Sequence, residues 1–206
     1  MTNKHILRGR DSVLIRFYDE NNLTEAVLHL RDKVGNLVWK GHPNPVVDVA
    51  AIILEKNATV AVWEFPRFKF LADVGIGEDV LFFGFPLGVT SLAGRLGDPI
   101  LRHGIASYKT YGVTFIGADT IPRNVFLIDG LSFGGNSGSP VLTRATMDSR
   151  ANLVGIVYGH VPFAEDVINL VTQKSMGLAV SVNTGLVKAF PAERISETVE
   201  QFRPKR

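Results

Sequence analysis

The sequence predicts an all-β chain with a short helix at its end. Three observations carry this reading. About ten short segments rich in β-branched and aromatic residues follow one another along the 206 residues. Turn-forming residues separate them, at Asp19 to Asn22, Gly35-Asn36, Gly41 to Pro45, Gly75 to Gly77 and Gly94 to Pro99. Helical periodicity is confined to the region after Val182.

In order, the strands read as Ser12 to Tyr18, Ala26 to Leu30, Leu37 to Trp39, Val46 to Leu54, Val60 to Trp63 and Val80 to Phe85. They continue as Ile100 to Tyr108, Val125 to Ile128, Val141 to Thr143, Leu153 to Tyr158 and Leu178 to Val182. Asn183 and Thr184 offer caps for a short helix running to about Phe190. Pro191 stops that helix and starts another, with Ile195, Val199 and Phe202 on one face. The length suits one large β domain or two lobes sharing an interface. A break near Phe65 to Gly77 divides the chain into an N-terminal lobe, 1–70, and a C-terminal lobe, 71–206.

Composition narrows the function classes. Hydrophobic residues make up 46% and charged residues 20%, a globular balance, and a net charge of +2 with dispersed Lys and Arg gives no basic stripe for nucleic acid. There is no cysteine, which removes disulfides, thiolate metal sites and a cysteine nucleophile, and is compatible with the cytoplasm. No apolar run has the length of a membrane span, and Met1 to His5 carries no signal-peptide core. The sequence does not specify compartment or oligomeric state.

The sharpest motif is Gly134-Gly135-Asn136-Ser137-Gly138-Ser139-Pro140. A serine nucleophile needs a backbone that lifts its hydroxyl into a cleft, and unblocked N–H groups aimed where an oxyanion develops. Glycines on both sides of Ser137 permit such a loop, and the amides of Gly135 and Ser137 are the candidate oxyanion donors. A bare Gly-x-Ser-x-Gly would equally describe a plain turn; the longer string between two strands is more specific. Such a serine needs a histidine to take its proton and a carboxylate to orient the imidazole. Among the five histidines, His5 lies in Thr2-Asn3-Lys4-His5-Ile6, and Asp48 heads the apolar run Val49-Ala50-Ala51-Ile52. An acid there requires a partner, or else is a turn former after Pro43-Asn44-Pro45.

Together these strings resemble the chymotrypsin-like serine proteases, in their order His, Asp, Ser. Gly-Asn-Ser-Gly-Ser-Pro is most similar to the bacterial glutamyl-endopeptidase branch and neighbours the high-temperature-requirement branch. The resemblance implies a chymotrypsin-like double six-stranded β-barrel with a short C-terminal helix. It implies a serine endopeptidase acting on polypeptide through His5, Asp48 and Ser137, with no metal and no cofactor. Leu131, Ser132 and Phe133 would form one wall of the side-chain pocket, with Tyr158, Gly159 and His160 opposite. Leu131 stands where an acid would select Lys or Arg, so a small or medium apolar preference is expected. Asn136, being neutral, cannot pair with a freed N-terminal ammonium, so trypsin-style activation is not expected.

The family has two or more strands before its histidine, whereas His5 stands close to Met1. The first barrel is therefore expected to be incomplete and the N-terminus truncated. That favours a second reading, a noncatalytic or weakly active peptide-binding scaffold. A metal-dependent hydrolase is disfavoured, because the histidines show no ligand-like spacing.

Overall fold

The computed structural model describes residues 1–19, 22–54, 67–86, 99–116, 119–122, 124–145 and 150–203, and within 16–24 and 115–120 the backbone alone. The expected strand Val60 to Trp63, most of the turn at Gly94 to Pro99 and the start of the expected lobe break lie outside these residues.

The N-terminal segment begins with α1 (Lys4–Leu7), followed by a hairpin of β1 (Ser12–Asp19) and β2 (Asn22–His29), with Ser12 opposite His29. A second two-stranded sheet pairs β3 (Trp39–Gly41) with β4 (Ala50–Ile52), and Thr2 bridges to Ala50. A small cluster of Leu7, Leu30 and Ala50 is the buried centre of this part.

The remainder is a closed barrel. Its strands are β5 (Asp79–Gly84), β6 (Ile100–Thr110), β9 (Val125–Asp129), β10 (Pro140–Thr143), β11 (Leu153–Ile168) and β12 (Ser175–Pro191). Their order around the barrel is β10-β11-β12-β9-β6-β5, with antiparallel neighbours. A hairpin of β7 (Thr114–Ile116) and β8 (Asp119–Ile121) is inserted before β9, and α2 (Ala192–Glu200) follows β12. The architecture is mostly β, with a terminal helix; among the described residues the N-terminal part is two separate two-stranded sheets.

Sequence explains the barrel strand by strand. Val125-Phe126-Leu127-Ile128 is an unbroken apolar run because β9 is buried on both faces. Phe126 and Ile128 join Val80, Phe82, Val141 and Ala189 in one cluster; Val125 and Leu127 join Leu142, Ile156, Phe190 and Ile195 in another. Each such large side chain contributes about 1.5–3 kcal/mol by leaving water. Val47 and Val49 belong to the second cluster, so the segment carrying Asp48 is held against the outside of the barrel.

Several expectations are corrected. The residues from Asn183 to Phe190 are extended, not helical, and form the barrel portion of β12. The apparent cap residues serve another purpose: Asn183 Nδ2 donates to the Ser132 carbonyl, and Thr184 Oγ1 donates to the Val161 carbonyl at 2.7 Å. Val187 and Ala189 then alternate into the core, a period of two rather than 3.6. The helix after Pro191 is present, but its buried residues are Ala192, Ile195 and Thr198, and Val199 is exposed. β4 is shorter than the run Val46 to Leu54, because Val46, Ile53 and Leu54 are exposed. β11 and the first part of β12 extend well past the barrel as a two-stranded ribbon, which the strand reading of Leu153 to Tyr158 did not anticipate.

Candidate active site

Ser137 sits in the turn between β9 and β10, whose ends are fixed by the barrel. Asn136 N–H donates to the Phe133 carbonyl at 3.0 Å, and Gly135 between them has φ +99°. A turn with positive φ in its third place takes glycine. Space excludes a side chain as well, since a Cβ on Gly135 would collide with the Phe85 carbonyl oxygen. Gly84, at the end of β5, is equally constrained, because Ser139 Oγ and Asn136 Nδ2 occupy the volume its side chain would need. The turn is thus pressed onto β5, and its far side is sewn to β11: Gly138 N–H donates to Val157 O, and Val157 N–H to Ser139 O, both at 2.9 Å.

The N–H groups of Gly135 and Ser137 donate to no acceptor among the described residues. Two free donors, one on the hydroxyl-bearing residue and one two residues before it, are what an oxyanion would require. Asn136 is fully buried; its Oδ1 accepts the Phe133 N–H at 3.0 Å, while Nδ2 has no partner among the described residues.

His5 lies on the single turn of α1, and Thr2 just before it bridges to Ala50. Asp48 grips His5 twice. One carboxylate oxygen accepts the His5 backbone N–H at 3.0 Å, and the other pairs with ring Nδ1. A carboxylate on Nδ1 fixes the tautomer that leaves Nε2 as acceptor. Asn3 Nδ2 donates to the Asp48 carbonyl at 2.7 Å, and Lys4 Nζ to the Asn44 carbonyl at 3.0 Å. Burial, aided by Arg8, lowers the Lys4 pKa from the ordinary lysine value, and Asp48 opposes that shift.

The two parts meet at Thr2. A Cβ on Gly138 would lie 3.0 Å from Thr2 Oγ1. Among the described residues no hydrogen bond joins His5 to Ser137, whose hydroxyl is half-buried. Such bonds are often long before substrate arrives. A cleft of about 250 Å³ opens beside Ser137, lined by Thr2, Phe85, Pro99, Gly135 and Ser139 among others. Thr2, Asn3 and Gly84 had no assigned role in the sequence reading, although each lies inside a string that reading quoted.

None of the six residues expected as pocket walls lines this cleft. Leu131 is exposed and Ser132 buried; Phe133 is partly exposed, with the Arg102 guanidinium over its ring at 5.1 Å. Opposite, Tyr158 stacks on Phe190 with ring centres 4.2 Å apart, and Gly159 and His160 are half-buried. Asn183, through the Ser132 carbonyl, and Gly130 N–H to Gly185 O at 2.8 Å tie the Leu131 wall to β12. Among the described residues no three His, Asp or Glu side chains gather as metal ligands would.

No family model matches the sequence. Among curated proteins, it is 26% identical over 137 residues to an organic cation/carnitine transporter 3 of Arabidopsis thaliana, covering 65% of this chain and a quarter of that protein. That identity is too low to show a family. Among the described residues no helix is long and apolar enough to cross a membrane. Among solved structures, an HtrA-type protease, AlgW in a serine-to-alanine variant with a decapeptide, superposes with a TM-score of 0.54 at 20% identity. The match covers 98% of this chain and 48% of that one, so the chain spans about half the length of its structural neighbour. With its closed six-stranded barrel and terminal helix, this chain has the trypsin-like protease fold.

Proposed function

We propose that this chain is a serine endopeptidase, with His5 as general base, Asp48 as its orienting carboxylate and Ser137 as nucleophile. The observation that carries the proposal is the double grip of Asp48 on His5, on a segment whose Thr2 lines the same cleft as Ser137, in a turn with two unengaged N–H groups. In the reaction, His5 Nε2 takes the Ser137 hydroxyl proton as Oγ bonds to the scissile carbonyl carbon. The oxyanion accepts hydrogen bonds from the Gly135 and Ser137 N–H groups. Collapse breaks the C–N bond, and the imidazolium returns the proton to the leaving amine. Water, deprotonated by His5, then releases the acyl group and restores the serine.

The division into lobes 1–70 and 71–206 belongs to this reading, as does kinship with the glutamyl-endopeptidase branch, which rests on Gly-Asn-Ser-Gly-Ser-Pro. Leu131, Ser132, Phe133, Tyr158, Gly159 and His160 are proposed to receive the substrate residue before the scissile bond. Polypeptide as ligand class is supported by the neighbour's decapeptide. A small or medium apolar residue is preferred there, for want of an acid at Leu131.

The missing His5–Ser137 hydrogen bond favours a second reading, a peptide-binding scaffold that does not cleave. A mixed peptide library incubated with the purified chain separates the two. Cleavage products abolished in Ser137→Ala support the endopeptidase. Binding without products supports the scaffold, and dominant cleavage after Lys or Arg would refute the pocket assignment.

A further inference from the structure

β11 offers an edge much longer than the cleft needs. It runs from Leu153 to Ile168, yet β10 pairs with it only from Leu153 to Ile156, and the serine turn takes the same edge at Val157. From His160 onward no described strand pairs with that edge; β12 covers the opposite one, through Pro162 opposite Asn183, Phe163 opposite Val182 and Glu165 opposite Val180. Nine residues of edge, at most roughly 30 Å at strand rise and interrupted by irregularities between His160 and Pro162 and between Asp166 and Ile168, therefore run on from the cleft. Such an edge is a template for another extended chain.

We infer that this ribbon binds the N-terminal flank of an extended polypeptide substrate by strand addition, well beyond the residues nearest the scissile bond. The inference rests on the proposal that the Ser137 cleft takes polypeptide. Direction follows from geometry. A chain antiparallel to β11 that brings its scissile carbonyl to Ser137 has its upstream residues running from His160 toward Ile168.

The ribbon also states what it would select. Residues directly opposite share a face, so Phe163, Val180 and Val182 form an apolar strip with Glu165 beside it; all are exposed. A third strand laid on the edge would extend that strip with every second side chain. Glu165 and Asp166 are exposed, and between Val161 and Val182 the only cationic residue is Lys174, near the ribbon's tip. Charge complementarity thus calls for a Lys or Arg in the flank, five or six residues upstream of the one facing His160.

The test uses the full chain carrying Ser137→Ala, which holds peptides without cleaving them. Fluorescence anisotropy compares a four-residue peptide with a twelve-residue one that shares its C-terminal four and has alternating Val and one Lys upstream. The longer peptide is expected to bind at least tenfold tighter. Val180→Asp should remove that advantage and leave the short peptide's affinity unchanged, which also shows the fold intact. Glu165→Lys with Asp166→Lys should reverse a threefold or greater preference for Lys over Glu in the flank. Equal affinity for both lengths, with the short peptide bound, overturns the ribbon and spares the cleft. Failure of both peptides to bind overturns the polypeptide reading itself. A dimer in sedimentation that Val180→Asp dissolves would give the face to a second copy and also overturn it.

Discussion

The barrel and the N-terminal segment hold their proposed catalytic groups by different means. Ser137 stands in a turn between barrel strands, above Phe82, Phe126 and Ile128, none of which has accessible surface. His5 and Asp48 stand on a segment whose own buried cluster is Leu7, Leu30 and Ala50, with Leu14, Val27 and Val34 exposed nearby. The nucleophile is positioned by apolar packing. The base is positioned by a strap of hydrogen bonds, Thr2 and Ala50 in both directions, Asn3 to Asp48 and His5 to Asp48, with Val47 and Val49 pinning the carboxylate's segment to the barrel cluster. The strap is anchored to α2. Lys40 Nζ donates to the Gln201 carbonyl at 2.6 Å, Gln201 Nε2 to the Gly41 carbonyl at 3.0 Å, and His42 Nε2 pairs with Glu197 at 2.5 Å. Where the strap is buried, at Asn3 and His42, a group left without its partner would carry the full desolvation penalty.

The largest effect is expected from cutting the strap at its centre. Asp48→Asn should lower kcat about 10⁴-fold by favouring the wrong imidazole tautomer, while urea denaturation of the barrel is unchanged. Next is the barrel core. Phe126→Ala should cost about 3–5 kcal/mol, whereas Leu30→Ala, in the smaller cluster, should fall near the 2 kcal/mol end for a buried leucine and reduce activity before global unfolding. Paired denaturation and activity curves for the two variants check this; equal global losses would erase the contrast between the regions. Gly135→Ala should cost about 10²–10³ in kcat, since a side chain there displaces an oxyanion donor.

The smallest effect is on pH. Burial raises the Glu197 pKa, but hydrogen bonds from His42 and Arg194 outweigh it, and the carboxyl lies below its ordinary value. A depressed carboxyl contributes stability above its unfolded pKa and loses it as pH falls through the folded one. Acid melts should therefore show the difference between native and Glu197→Gln narrowing below about pH 4. A difference constant from pH 7 to 3 would contradict it.

Much of this was legible in the chain. The apolar runs gave the barrel strands, because burial on both faces leaves an unbroken pattern such as Val125 to Ile128. The glycines around Ser137 marked the turn, because collision with Phe85 and a positive φ leave no other residue there. The misread helix at Asn183 to Phe190 has a plain cause. Asn and Thr before an apolar run cap helices, but here they satisfy carbonyls of Ser132 and Val161, partners distant in sequence. The α2 anchor was invisible for the same reason, since His42 and Glu197 are 155 residues apart. The β12 half of the ribbon was read as the strand Leu178 to Val182, but the β11 extension past Tyr158 escaped because its exposed residues have no core to alternate against.

The central claim is that Ser137 is an activated nucleophile. Incubating the chain with a fluorophosphonate and reading its intact mass tests this directly, since attack by Oγ expels fluoride and adds one phosphonyl group. The account predicts a single adduct on Ser137, lost in Ser137→Ala and slowed severely in Asp48→Asn. No adduct on the folded chain, or one that persists without Ser137, would contradict it.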